Sequence, residues 1–207
     1  MKHTWLFFSF WILSAMGTGV LFAQQVNFGA FTDSPLTLTL LTPDELDFGD
    51  RVSGVGNVKI ELTDNEAVPI RIEGVAYLDV TVTLQFPDGE YLLLEGDFDN
   101  LSDPQKSIPL SVSMAYYNRI QQPYPNEEVT EYEAKADATR VLGNTITFQI
   151  RQRPGGPPGP PPTPPHAGYE PPMAIAYLFL FGEIDVGNVN AGPYSGTVHV
   201  HVDYSTY

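Results

Sequence analysis

The chain of 207 residues contains no cysteine. That excludes disulfides, thiolate metal sites and a lipid-modified cysteine behind a leader. Whatever fold forms must rest on its apolar core. Positive charge is also scarce: 10 Lys and Arg stand against 25 Asp and Glu, a formal net charge of −15. Such a surface repels phosphate backbones and anionic headgroups, so no nucleic-acid partner is expected. Nucleophile elbows, phosphate-cradling glycine loops and zinc-protease helices are missing as well, and no cofactor is implied. No internal repeat is present. Helical patterning is nearly absent. Glu127 to Leu142 is rich in Glu and Ala but poorly spaced for an apolar face, which suits an acidic loop holding one helical turn.

The longest apolar run lies at the start. Lys2 precedes the almost wholly apolar Trp5 to Met16. Small and apolar residues follow from Gly17 to Ala23. This is the layout of a secretory signal peptide over residues 1–23 with cleavage after Ala23; a retained membrane anchor is the alternative, although the run is short for a span of ~20 residues. Cleavage leaves about 180 residues, enough for one domain with its own core and no further membrane span. The expected location is extracellular or on the cell surface, with the periplasm as a place of transit.

What the rest contains is alternation of period two. Leu36 to Leu40 reads Leu-Thr-Leu-Thr-Leu, and Val58 to Leu62 and Ile70 to Ile72 repeat the pattern. Val80 to Phe86 puts Val80, Val82, Leu84 and Phe86 on one face; Pro87-Asp88-Gly89 then signals a turn into Tyr91 to Leu94, which predicts a hairpin over 78–95. Ser107 to Tyr117 and Thr145 to Arg151 are further strands. Ala174 to Phe181 is continuously apolar, as a strand buried on both faces would be. Many short strands between turn signals define an all-β sandwich or barrel. Arg153 to Pro172 stands apart. It holds ten prolines and no aliphatic side chain larger than alanine. It cannot join a ladder and reads as an excursion from a domain spanning 36–207.

Two constellations invite a metal reading. Of the four histidines, the leader takes one, leaving His166, His199 and His201. In a strand, His199, His201 and Asp203 share one face, while Val198, Val200, Val202 and Tyr204 share the other. Alternate residues lie ~6.5 Å apart on a flat strand, so three in a row converge poorly on one ion. The alternation itself is what a half-buried strand requires. The acidic stretch Asp97, Asp99, Asn100 and Asp103 offers oxygen ligands for calcium. It lacks the glycine and terminal glutamate of an EF-hand loop, and acidic turns are ordinary in so acidic a chain. Neither is assigned as a metal site, and no catalytic residue is assigned. Asn100-Leu101-Ser102 is a sequon, relevant only in a glycosylating host.

The ending, with Ala191, Gly192, Tyr194, Ser195, Gly196, Thr197, Val198, Val200, Val202 and Tyr204, resembles the closing strand of spore-coat-U-like fimbrial subunits and of a related family of secreted bacterial surface sandwiches. Leu36 to Leu40 followed by Leu46, Phe48 and Gly49 resembles their first strand and turn. The resemblance covers the two ends of the domain only. It implies an immunoglobulin-like antiparallel β-sandwich without catalysis. Subunits of that kind often receive a missing strand from a neighbour, by strand addition. Residues 24–35 then form an N-terminal extension in which Val26, Phe28 and Ala30 alternate with Asn27 and Gly29, with Asp33-Ser34-Pro35 as hinge. The competing expectation for this segment is an unordered start, or a strand that pairs within its own domain. The sequence therefore points to a fimbria-like or surface-filament subunit, a homo-oligomer through strand addition. The alternative is a sandwich whose loops bind a glycan, a protein or calcium. An enzyme is a distant third.

Overall fold

A computed structural model describes residues 34–119, 130–152 and 170–205. The leader, the contacts expected of Val26, Phe28 and Ala30, His166 and most of the proline-rich excursion lie outside the described residues. The described chain is an antiparallel β-sandwich, as the alternation requires. Its strands are β1 Thr37–Leu40, β2 Gly56–Ile60, β3 Val68–Val75, β4 Asp79–Gln85, β5 Tyr91–Leu94, β6 Ser107–Tyr117, β7 Thr139–Arg140, β8 Thr145–Gln149, β9 Met173–Val186, β10 Tyr194–Ser195 and β11 His199–Tyr204. One helix, α1 Glu131–Ala136, is six residues long and opens on a capping box between Thr130 and Glu133.

The larger sheet has eight strands in the order β1-β3-β9-β6-β5-β10, with β2 also on β9 and β7 also on β6; the smaller is β11-β4-β8. β9 is the spine. Its buried run from Ala176 to Gly182 carries β3 on one edge and β6 on the other. It is buried on both faces for separate reasons. Leu178 faces the smaller sheet. Phe179, on the other side, lies under the Lys135 ammonium of α1 at 5.9 Å, and Phe181 lies under the Arg140 guanidinium at 4.9 Å. Lys135 is itself buried, and its Nζ donates to the Asp64 and Ala67 carbonyls at 3.0 and 3.3 Å.

Two expectations are corrected. Residues 78–95 do not form a hairpin. β4 pairs with β8 and β11, whereas β5 pairs with β6 and β10 in the other sheet. The turn at Phe86–Gly89, closed by the Gly89 amide on the Phe86 carbonyl at 3.1 Å, is an arch between layers. A turn signal specifies reversal and is silent on which layer receives the returning strand. The closing segment is likewise divided. β10 ends the larger sheet's edge on β5, and the chain then crosses to become β11 on β4. Gly196 makes the crossing, and a Cβ there would sit 2.6 Å from the Tyr91 carbonyl.

The register places Val200, Val202 and Tyr204 beside Leu84, Val82 and Val80, the apolar row that the closing residues predict. Val80 and Val82 are fully buried and Val202 nearly so. Phe48, from the Leu-x-Phe-Gly turn, is in the same core. We expect Val202→Asp to cost more than about 3 kcal/mol, because it buries a charge with no partner. His201→Ala on the opposite face should stay within about 0.5 kcal/mol. Chemical denaturation of the two variants checks the assignment of faces.

Candidate functional site

Two of the sequence candidates resolve into local structure. His201 Nε2 contacts Asp203 Oδ2 at 2.6 Å on the exposed face of β11, with both side chains more than half exposed. His199 is two residues away on the same face, and among the described residues no group of three His, Asp or Glu side chains is placed to hold a metal. The acidic stretch is occupied with its own turns. Asp97 Oδ1 accepts from the Asp99 amide at 3.0 Å and starts a short 3-10 turn at Phe98–Asn100. Asp103 Oδ1 accepts from the Gln105 amide at 2.9 Å. Asn100 Nδ2, the atom a glycan would need, donates to the Leu94 carbonyl at 3.0 Å.

The feature that does not resolve locally is the edge of the sandwich at β1 and β11. The registers align two rows across the larger sheet's inner face. One runs Leu40, Ile70, Leu178, Tyr116; the other runs Leu38, Ile72, Ala176. Tyr116 stacks on Phe148 of β8 with centroids 4.3 Å apart, which sets β8 over β6. At the opposite side Tyr204 of β11 reaches Val75 of β3. Three strands therefore lie over β6, β9 and β3. Among the described residues no strand lies over β1.

Exposure follows that geometry. Ile70, Ile72 and Leu178 are at 5%, 0% and 0%, while their row mates Leu38 and Leu40 are at 40% and 52%. These leucines point to the core side of a sheet and find no layer there. Beside them the outer edge of β11 pairs with no strand among the described residues. An open cleft lined by Ser34, Leu36, Val202, Asp203, Tyr204 and Ser205 marks one end of this lane. A lane with a free backbone edge on one side and apolar side chains on its floor is what an added β-strand fills. In the sequence, Leu36 to Leu40 reads as an ordinary core strand, because the alternation of a covered strand and an uncovered one is identical.

Tyr204 holds the end of the lane. Its hydroxyl accepts from the Val75 amide at 2.9 Å and donates to the Pro35 carbonyl at 3.3 Å, joining β11 to β3 and to the start of β1. Gly74 leaves room for it, since a Cβ there would lie 2.7 Å from that hydroxyl. The alternation places Tyr204 on the apolar face and gives no sign of this polar role.

With that geometry in view, comparison with known proteins adds little. No family model matches the chain, and no curated protein does. Among solved structures it is similar, with a TM-score of 0.38 and 12% identity, to a chain from a structure described as "Chaperone-tip adhesin complex is vital for synergistic activation of CFA/I fimbriae biogenesis". The alignment covers 82% of this chain and 42% of that one. At that level of likeness, the functional reading rests on this chain's own edges and side chains.

Burial pushes the Tyr204 hydroxyl above the usual tyrosine range, with the Val75 amide working the other way. A raised folded value stabilises below the unfolded one, near 10, and that stability is lost as pH rises past it. Tyr204→Phe should cost about 1–3 kcal/mol at neutral pH, chiefly because the Val75 amide loses its acceptor. The variant should also lose less stability than the parent between pH 9 and 11. Thermal melts across that range measure both effects.

Proposed function

We propose that this chain is a secreted structural subunit of a fimbria-like or other surface filament, joined to its neighbours by strand addition, and that it has no catalytic activity. The observation that carries the reading is the lane over β1: two inward leucines left at 40% and 52% exposure beside an edge strand that, among the described residues, pairs on one side only. An open edge of this kind templates pairing with another chain and is a hazard unless something occupies it. The segment matched to it is residues 24–33. Val26, Phe28 and Ala30 supply alternate apolar side chains, and residues 24–32 carry no charge. The leader at residues 1–23 agrees with export, and the lack of cysteine costs such a subunit nothing once the added strand completes its core.

Strand addition between identical copies is heterologous, since donor segment and acceptor lane are different surfaces. It therefore propagates unless it closes into a ring. Negative-stain microscopy of the native protein and unheated gel electrophoresis should show filaments or a ladder of oligomers. Leu40→Asp should remove the ladder while far-ultraviolet circular dichroism still reports a β-sandwich. A parent protein that stays monomeric at high concentration and retains a glycan or calcium would overturn this reading in favour of a binding module.

A further inference from the structure

We propose that the end of the sandwich opposite Tyr204 is a docking surface for another protein, whose contact segment carries apolar and basic side chains. This end is remote from the lane over β1, so its role stands whether or not strand addition occurs. Three loops form it. Residues 50–55 lead into β2, residues 95–106 join β5 to β6, and residues 187–193 join β9 to β10. The registers bring them to one end. Gly56 at the start of β2 is opposite Val186 at the end of β9, and Leu110 near the start of β6 is opposite Ile184. β3 meets the other end of β9, with Val75 opposite Met173, and Tyr204 is bound there.

The three loops are clasped to one another. Ser53 Oγ donates to the Val189 carbonyl and accepts from the Val189 amide, both at 2.9 Å. The Gly54 amide donates to the Gly187 carbonyl at 2.7 Å. The Asn190 amide donates to the Gln105 carbonyl, and the Glu95 amide to the Pro193 carbonyl, each at 2.8 Å. The Tyr194 hydroxyl lies within reach of both the Gln105 and the Asn190 carbonyls, at 3.1 and 3.0 Å. Segments distant in sequence are thus joined into one surface. A surface ordered before its partner arrives avoids part of the ordering cost of binding.

The points of this surface are apolar. Residues 52–55 form a turn closed by the Val55 amide on the Val52 carbonyl at 3.2 Å, which brings two valines together at 79% and 54% exposure. Phe98, in the 3-10 turn of the next loop, is 57% exposed. The core takes Phe48, Val58 and Val189 from nearby positions and leaves these three outside. Apolar side chains held out on a fixed surface mark a contact site.

Charge selects the partner. The loops hold Asp50, Glu95, Asp97, Asp99 and Asp103 against Arg51 and Lys106. Lys106 is taken by Asp103 at 3.9 Å. Asp50, Glu95 and Asp99 are exposed and, among the described residues, make no ion pair. Anionic partners are therefore repelled. A second copy is a poor match as well. Its Lys59, Arg71, Lys106 and Arg140 each stand beside a carboxylate of their own chain, and the whole chain carries −15. The complement is a different protein with basic residues among apolar ones: the apolar groups seat on Val52, Val55 and Phe98, and the basic groups meet the surrounding carboxylates.

A labelled amphipathic peptide of leucine and lysine is the probe, titrated with the full chain at ~0.15 M salt and followed by fluorescence anisotropy. The parent should bind it. Val52→Ser with Phe98→Ser should weaken binding at least ~10-fold, and Leu142→Ser, at an exposed leucine on the β7–β8 turn, should leave it unchanged. Asp50→Asn with Asp99→Asn, which leaves every apolar side chain in place, should weaken it at least ~3-fold and reduce its salt dependence. The same peptide with glutamate for lysine should not bind. Equal binding of the lysine peptide by the parent and the Val52, Phe98 variant would overturn the site, as general attraction to an acidic chain. Equal binding of both peptides, or of neither, would overturn the partner's chemistry. Phosphatidylcholine vesicles bound by the parent and lost in the same variant, with no peptide bound, would assign this end to lipid and overturn a protein partner.

Discussion

A β-sheet buries an apolar face only where a second layer covers it, and here the two layers have different widths. The larger sheet presents β1, β3, β9 and β6 side by side, while among the described residues the smaller has only β11, β4 and β8 to set over them. Every other feature at this edge follows from that mismatch. The two rows across the inner face carry no charged residue along their length, yet burial stops between Ile70 and Leu40 and between Ile72 and Leu38. Two leucines turned to the core side and left open mark a place where coverage by another strand is favourable, at about 25 cal/mol per Å² of apolar surface removed from water.

The connections keep the smaller sheet narrow. A hairpin after β4 would have added a fourth strand to it. The arch at Phe86–Gly89 instead sends β5 to the larger sheet, and Gly196 lets the chain switch back only in time to form β11. The described chain ends just beyond β11. Tyr204 then ties that last strand to β3 and to Pro35, so the open edge is held at one end by a defined pair of hydrogen bonds. Those two bonds set the position of the lane's mouth.

Much of this was legible in the sequence and some was not, for identifiable reasons. Period-two alternation located the strands and their faces, and the closing valines are beside the residues expected. The double burial of β9 was visible in Ala174 to Phe181. The capping residues Thr130 and Glu133 set the short helix that composition alone left vague. Layer assignment was not legible, because Pro87-Asp88-Gly89 encodes a reversal that serves a hairpin and an arch equally. Coverage was not legible either: Leu38 and Leu40 read as core residues, and only the count of strands in the opposite sheet reveals them as open. In the described residues His201 and Asp203 lie on the exposed face of β11, and Asp97 and Asp103 accept from amides in their own turns.

The central claim is the proposal that the lane over β1 accepts residues 24–33 of a neighbouring copy. Nuclear Overhauser contacts between selectively labelled leucine methyls and aromatic rings test it most directly. Contacts from the Phe28 ring of one copy to the methyls of Leu38 and Leu40 of another are predicted in assembled material. Leu38 and Leu40 methyls that show solvent contacts and no aromatic neighbour from another copy's residues 24–33 in assembled material would contradict it.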